Sequence, residues 1–186
     1  MYSTQNFRRG LKVEINDEPF SIVEFQHVKP GKGGAFVRTK LKNLLNGNVV
    51  ERTFRSGEKV GKPDIEEKEM QYLYTDGDFH FMDNDTYEQT ALTSDLVGNA
   101  KDFLQENSLV TVLFYRSRVV NLELPTFVIL EVTEAEPGLK GDTASSVTKP
   151  VTVETGARIN VPLFINPGDH LKIDTRTGDY MERVKS

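Results

Sequence analysis

The sequence predicts an all-β protein of 186 residues built as three small barrels in a row, and three observations carry that expectation. Apolar residues alternate with polar ones in short runs, the period of half-buried strands. Those runs are rich in β-branched and aromatic residues and are separated by Gly, Pro, Asn and Asp. Two junctions then divide the chain into modules 1–64, 65–125 and 126–186. The first is Gly61-Lys62-Pro63-Asp64 with the acidic Glu66-Glu67-Lys68-Glu69 behind it, read as a linker; the second is Leu124-Pro125-Thr126.

In the first module Leu11, Val13 and Ile15 alternate with polar residues, Asp17-Glu18-Pro19 turns the chain, and Phe20 to Val28 returns. Ala35 to Leu41 and Val49 to Phe54 follow, joined across Asn46-Gly47, which gives a small meander barrel. The middle module offers Met70 to Tyr74, an Asp76-Gly77-Asp78 turn, Phe79 to Met82 and Tyr87 to Leu92. A short helix over Asn99 to Gln105 precedes Leu109 to Tyr115 and Val119 to Leu124, and five strands with one helix suit an OB-type barrel. The last module repeats the rhythm with Phe127 to Thr133, Val147 to Glu154, Ile159 to Phe164, Leu171 to Asp174 and Tyr180 to Val184, a second OB-type barrel. No strict sequence repeat links the modules, so duplication rests on rhythm alone.

Composition bounds the chemistry. With 37% hydrophobic and 27% charged residues the chain is expected to be globular. Its longest apolar run, Val110 to Tyr115, has the length of a strand and falls far short of a membrane span. The first ten residues lack the apolar stretch of a secretory signal, and the absence of cysteine removes disulfides, iron–sulfur clusters and thiolate zinc. A reducing cytoplasm is the expected compartment. Charge is uneven: the formal balance is +5 over 1–64, −8 over 65–130 and −2 over 131–186. Only the first module is fitted to approach a polyanion unaided.

The most unusual local feature is Lys29-Pro30-Gly31-Lys32-Gly33-Gly34, between two strand-like runs. As a hairpin loop it leaves the Lys32 ammonium alone at the tip of a backbone narrow enough to pass close to a partner. The ordinary reading, a solvated turn lysine, stands beside that one. A phosphate-binding loop is excluded because Gln26 stands where its first glycine belongs and Gly33 where its Ser or Thr belongs. His27, His80 and His170 are far apart and have no metal-ligand spacing. Asp83-Asn84-Asp85 starts like a calcium loop, but Glu88 and Ser94 occupy the positions that need Gly and Glu, so it reads as a turn. No nucleophile elbow is present, and no catalytic residue, cofactor or metal site is expected. Tyr72, Tyr74, Phe79, Phe81, Phe114 and Tyr115 read as core, and the acidic middle module lacks the basic groove of a single-strand binder.

Taken together, His27-Val28-Lys29-Pro30-Gly31-Lys32-Gly33-Gly34-Ala35-Phe36 resembles the tip loop of the bacterial elongation factor P family. Lys149-Pro150-Val151, Gly156, Ile159, Val161-Pro162, Ile165 and Gly168 resemble that family's C-terminal signature at its spacing, followed by Asp174-Thr175-Arg176-Thr177-Gly178-Asp179-Tyr180. Val151 stands where the family most often has alanine. The resemblance runs the whole chain.

It implies an SH3-like (KOW-type) barrel followed by two OB-fold barrels, and a monomeric, membrane-free accessory factor of the 70S ribosome bound between the P and E sites. The lysine matching Lys32 reaches the acceptor end of peptidyl-tRNA in that family and relieves stalling at consecutive prolines. It is commonly extended by a lysine-modifying enzyme, with a β-lysyl or aminopentanol group, and a lysine here argues against the rhamnose carried by arginine-tipped relatives. Gly141, Asp142 and Thr143 match the segment facing the small subunit, and Tyr180 and Arg183 match positions tied to the ribosome and its RNA. Two other readings remain open: the elongation-factor-P-like paralogue with a different tip, and a general single-stranded nucleic-acid-binding OB protein. An enzyme on a β scaffold has no motif behind it.

Overall fold

The computed structural model describes residues 1–137 and 147–185, so the Gly141-Asp142-Thr143 expectation lies outside the described residues. By contact density the chain divides into two compact units, Met1–Lys68 with Val112–Asn121, and Glu69–Thr111 with Leu122–Ser186. Among the described residues no helix is long and apolar enough to cross a membrane.

In chain order the first strands are β1 (Tyr2–Ser3), β2 (Lys12–Ile15), β3 (Glu18–Val28), β4 (Phe36–Asn43), β5 (Val49–Arg55) and β6 (Lys59–Val60). The middle strands are β7 (Ile65–Thr75), β8 (Phe79–Asp83) and β9 (Gln89–Leu92), followed by the helix α1 (Ser94–Val97), a 3₁₀ segment Gly98–Phe103, β10 (Leu109–Tyr115) and β11 (Arg118–Glu123). The last set is β12 (Phe127–Ala135), β13 (Thr148–Val153), β14 (Arg158–Pro162), β15 (His170–Asp174) and β16 (Asp179–Val184). This is the all-β architecture the alternation predicts.

β2 to β5 form an antiparallel meander, and β1 pairs with β6 beside it. Within that first barrel Val13, Ile22, Val37, Leu41 and Phe54 are nearly or fully buried, each contributing on the order of 1.5–3 kcal/mol of burial. The first hairpin corrects the turn expected at Asp17-Glu18-Pro19. Asn16 and Asp17 are the turn, with φ of 52° and 60°, and Glu18 and Pro19 belong to β3. Two positive-φ residues match the twist of a two-residue hairpin. Pro19 is tolerated opposite Glu14 because the Glu14 amide and carbonyl turn the other way, both to Gly61.

Two further expectations fall on strand pairing. The acidic run Glu66 to Glu69, which follows the stretch read as linker, lies inside β7, and Gly61 of that stretch is held in a β-bridge to Glu14. Tyr87, read as strand, has φ of 61°, is 72% exposed, and follows an Asp83 turn whose carboxylate accepts from the Asp85 and Thr86 amides. The helical stretch begins five residues earlier than expected, at Ser94, where the Thr93 hydroxyl accepts from the Leu96 amide. Tyr74 is 46% exposed rather than core and stacks on His80 with ring centroids 4.4 Å apart.

The two five-stranded sheets run β11-β10-β7-β8-β9 and β14-β13-β12-β15-β16. Counted within each module both orders are 3-2-1-4-5, the curled half-barrel of an OB fold. The duplication that the sequence carries only as rhythm is therefore present in the strand order. Leu130, Val161, Ile165, Leu171 and Ile173 are fully buried in the last barrel, with Tyr180 packed against them.

Candidate functional site

The tip loop is built by the longest hairpin of the first unit. β3 and β4 pair out to Val28 opposite Phe36, and residues 29–35 connect them. Lys29, Pro30, Gly31, Lys32, Gly33 and Gly34 are all exposed, and the Ala35 carbonyl accepts from the Ser56 amide at 3.0 Å, which fixes the returning end. Gly33 has φ of +104°, where an L side chain is strained. Gly31 and Gly34 have ordinary φ, and a Cβ on either would meet nothing within 4 Å. Neither the fold nor local crowding requires glycine at those two positions.

Electrostatics change along the outer face of the hairpin. Lys40, farther from the tip, pairs with Glu24 at 3.1 Å and lies opposite Glu51. Nearer the tip, Arg38 and Arg55 lie on one face, because Arg38 follows Phe36 by two residues on β4 and Arg55 pairs with Phe36. Lys29, Lys32, Arg38 and Arg55 form no ion pair among the described residues. The loop is thus backed by cations that no carboxylate among the described residues pairs with. The sequence reading names Lys29 and Lys32 but misses Arg38 and Arg55; strand alternation counted outward from the loop is the signal that finds them.

Tyr180 and Arg183 lie in the second unit, on β16. Tyr180 is half-buried against the last core, and its ring serves packing first. The Arg183 guanidinium lies over the Phe164 ring, 5.3 Å from its centroid, and its Nη1 is 3.7 Å from an Asp169 oxygen. Phe164 was not expected among the site residues.

No three of His, Asp and Glu converge in metal-binding geometry among the described residues. His80 Nε2 and Asp76 Oδ1 are 2.8 Å apart, a hydrogen bond that holds the Asp76 carboxyl below its usual range. A groove of about 1060 Å³ in the second unit is lined by Tyr72, Lys101, Gln105, Glu106, Glu154 and Thr155. It holds none of the expected site residues.

Family models account for most of the chain. Residues 3–60 match the elongation factor P (EF-P) KOW-like domain, 65–122 the elongation factor P (EF-P) OB domain, and 128–183 the elongation factor P C-terminal domain. The elongation factor P of Nitratidesulfovibrio vulgaris (strain DSM 19637 / Miyazaki F) is 59% identical over 184 residues, covering 98% of this chain and 100% of its own. That of Natranaerobius thermophilus is 55% identical over 186 residues, covering 100% and 99%. Among solved structures, the eukaryotic translation initiation factor 5A from Methanococcus jannaschii superposes with a TM-score of 0.51 at 23% identity, over 65% of this chain and 92% of that one, a likeness of fold. With full-length relatives at that identity and all three domain models in order, the chain belongs to the elongation factor P family of translation factors.

Proposed function

We propose that the chain binds the 70S ribosome between the P and E sites and speeds peptide-bond formation at consecutive-proline stalls. In this reading Lys32 positions the acceptor end of the P-site peptidyl-tRNA. The observation that carries it is the tip: an exposed lysine in a glycine-flanked loop, backed by Lys29, Arg38 and Arg55, which form no ion pair among the described residues. Family membership supports the ribosome as a partner, and in this reading the ribosome is the surface that the tip meets.

Proline is a poor acceptor because its ring fixes φ and restricts approach, so fixing the donor's orientation is the available lever. The factor supplies orientation and the ribosome supplies the bond-forming chemistry. Gly31 and Gly34 keep the path beside Lys32 narrow, while Lys29, Arg38 and Arg55 meet RNA phosphates. Modules 1–64, 65–125 and 126–186 act as tip-bearing barrel, central OB barrel and C-terminal OB barrel. Gly141, Asp142 and Thr143 face the small subunit, Tyr180 and Arg183 contact ribosomal RNA or protein, and a lysine-modifying enzyme extends Lys32.

The test is the rate of synthesis on a proline-run template in a reconstituted translation system, with no factor, with the native factor, and with Lys32→Ala. Acceleration confined to the proline template and lost in the variant is the expected result. A Lys32→Ala protein as active as its parent sinks the tip mechanism. The mass of the tip peptide from native protein reads the modification.

A further inference from the structure

We propose that Phe164 and Arg183 form a stacking platform for an unpaired ribosomal RNA base. The inference rests on the reading that this chain acts on the ribosome, and it adds the chemistry of one contact.

Phe164 is 56% exposed on a loop pinned by backbone hydrogen bonds. Ile165 beside it is fully buried, its amide donates to the Pro162 carbonyl at 3.2 Å, and the Gly168 amide donates to the Val132 carbonyl at 2.8 Å. Asp169 closes the same loop by accepting from the Asn166 amide at 2.9 Å. Ile165 anchors the loop, so the Phe164 ring is displayed without serving the core. Arg183 reaches over that ring from β16, and its side chain is still 48% exposed. A guanidinium resting on an aromatic ring beside a carboxylate has lost much of its rotamer freedom while keeping an open face. Unstacked RNA bases pack on arginine planes and aromatic rings in this way. Arg183 also lines, with Asp169, His170 and Lys185, a hollow of about 340 Å³, where the Lys185 ammonium adds positive charge for a flanking phosphate.

Other exposed rings lack this combination. Tyr74 stacks on His80 beside the acidic turn of Asp76 and Asp78, and Tyr87 follows Asp83 and Asp85. Phe127 lies under Lys172, but that ammonium is held by Glu182 at 3.3 Å and has no plane to offer a base. A protein partner is the competing occupant, and the experiment separates it from RNA.

Purified 70S ribosomes are titrated with the full-length parent, Phe164→Ala, Arg183→Lys and Phe164→Trp, after thermal melts confirm folding. Loss of one stacking contact should weaken binding roughly tenfold in Phe164→Ala. Arg183→Lys should lose a similar factor although it keeps the charge, because an ammonium does not stack. Phe164→Trp should bind like the parent, and its indole, alone in a chain without tryptophan, should be quenched by ribosomes. Chemical probing should show a ribosomal RNA base protected by the parent and released with Phe164→Ala. Phe164→Ala binding within twofold of the parent overturns the proposal. So does weakened binding with an unchanged RNA footprint, which assigns the contact to protein. A failure of the underlying reading looks different: the parent itself then neither binds ribosomes nor accelerates the proline template.

Discussion

Gly33 is the tip-loop glycine that the backbone needs, and Gly31 and Gly34 are the ones it does not. Gly33→Ala should therefore cost about 1 kcal/mol or slightly more, the price of a left-handed L-residue. Gly31→Ala and Gly34→Ala should leave the melting curve unmoved or raise it slightly, since alanine narrows the unfolded ensemble. If the bare path beside Lys32 is what the ribosome requires, those two stable variants should still lose proline-template activity, and melts run beside translation assays check both halves. A second residue-scale expectation concerns acid. Arg176 donates through its side chain and its amide to Asp174 and holds that carboxyl below its ordinary range. A depressed folded pKa means stability present above the unfolded value of about 3.9 and lost as pH falls through the lower folded value. The gap in melting temperature between the parent and Asp174→Asn should therefore be widest near neutrality and close under acid. Lys32 was legible because its proline and glycines are neighbours in sequence. Arg38, Arg55 and Phe164 were not, because their roles depend on cross-strand register and on which loop side chain faces water.

At the scale of elements, two hairpins of the first unit meet, those whose turns hold the positive-φ pairs Asn16-Asp17 and Arg116-Ser117. Tyr115, at the end of β10, donates its single hydroxyl proton to Glu14 Oε2 at 2.8 Å, with the Asp17 carbonyl 3.1 Å away as the weaker, sharing acceptor. Arg116, with φ of 49°, lies 3.6 Å from both Glu14 and Asp17 carboxylates, and its amide donates to the Asp64 carbonyl. Burial, then the Glu14 carboxylate, raises the Tyr115 phenol pKa, so the hydroxyl remains a donor well into alkaline solution. Tyr115→Phe should lower stability by about 1–3 kcal/mol, since it removes a donor to a charged acceptor. Arg116→Ala should cost less than about 1 kcal/mol because its side chain is 54% exposed and screened. Urea midpoints of the two variants rank the contacts, and equal losses would contradict the assignment. Long strands such as β3, β4 and β12 were readable because alternation runs for several residues. The two-residue β1 and β6 are too short to show a period, charge hid the start of β7, and Pro19 drew the first turn one residue late at its start and two at its end.

For the whole molecule, charge and duplicated topology belong to different modules. The common 3-2-1-4-5 order appears in the −8 and −2 parts of the chain, whereas the +5 part carries the tip. An OB scaffold alone therefore says little about strand binding here. The family was legible at this scale because its signatures span the first and last modules, and the duplication was not, because strand order is invisible to sequence rhythm. The charge pattern makes one demand on binding. Affinity for 70S ribosomes should fall with added salt, and removing a cation that neutralises a phosphate should flatten the log–log slope by about 0.7 to 0.9. Arg38→Ala and Arg55→Ala should each do so, whereas Lys40→Ala should change the slope little, because Glu24 at 3.1 Å already occupies that ammonium. A short naked RNA strand should bind far more weakly than ribosomes at every salt concentration, since the acidic modules repel it. If instead the naked strand binds as tightly as the ribosome, and Lys40→Ala flattens the slope as much as Arg38→Ala, the chain is reading phosphate as a general strand binder and the ion-pair assignment on β4 is wrong.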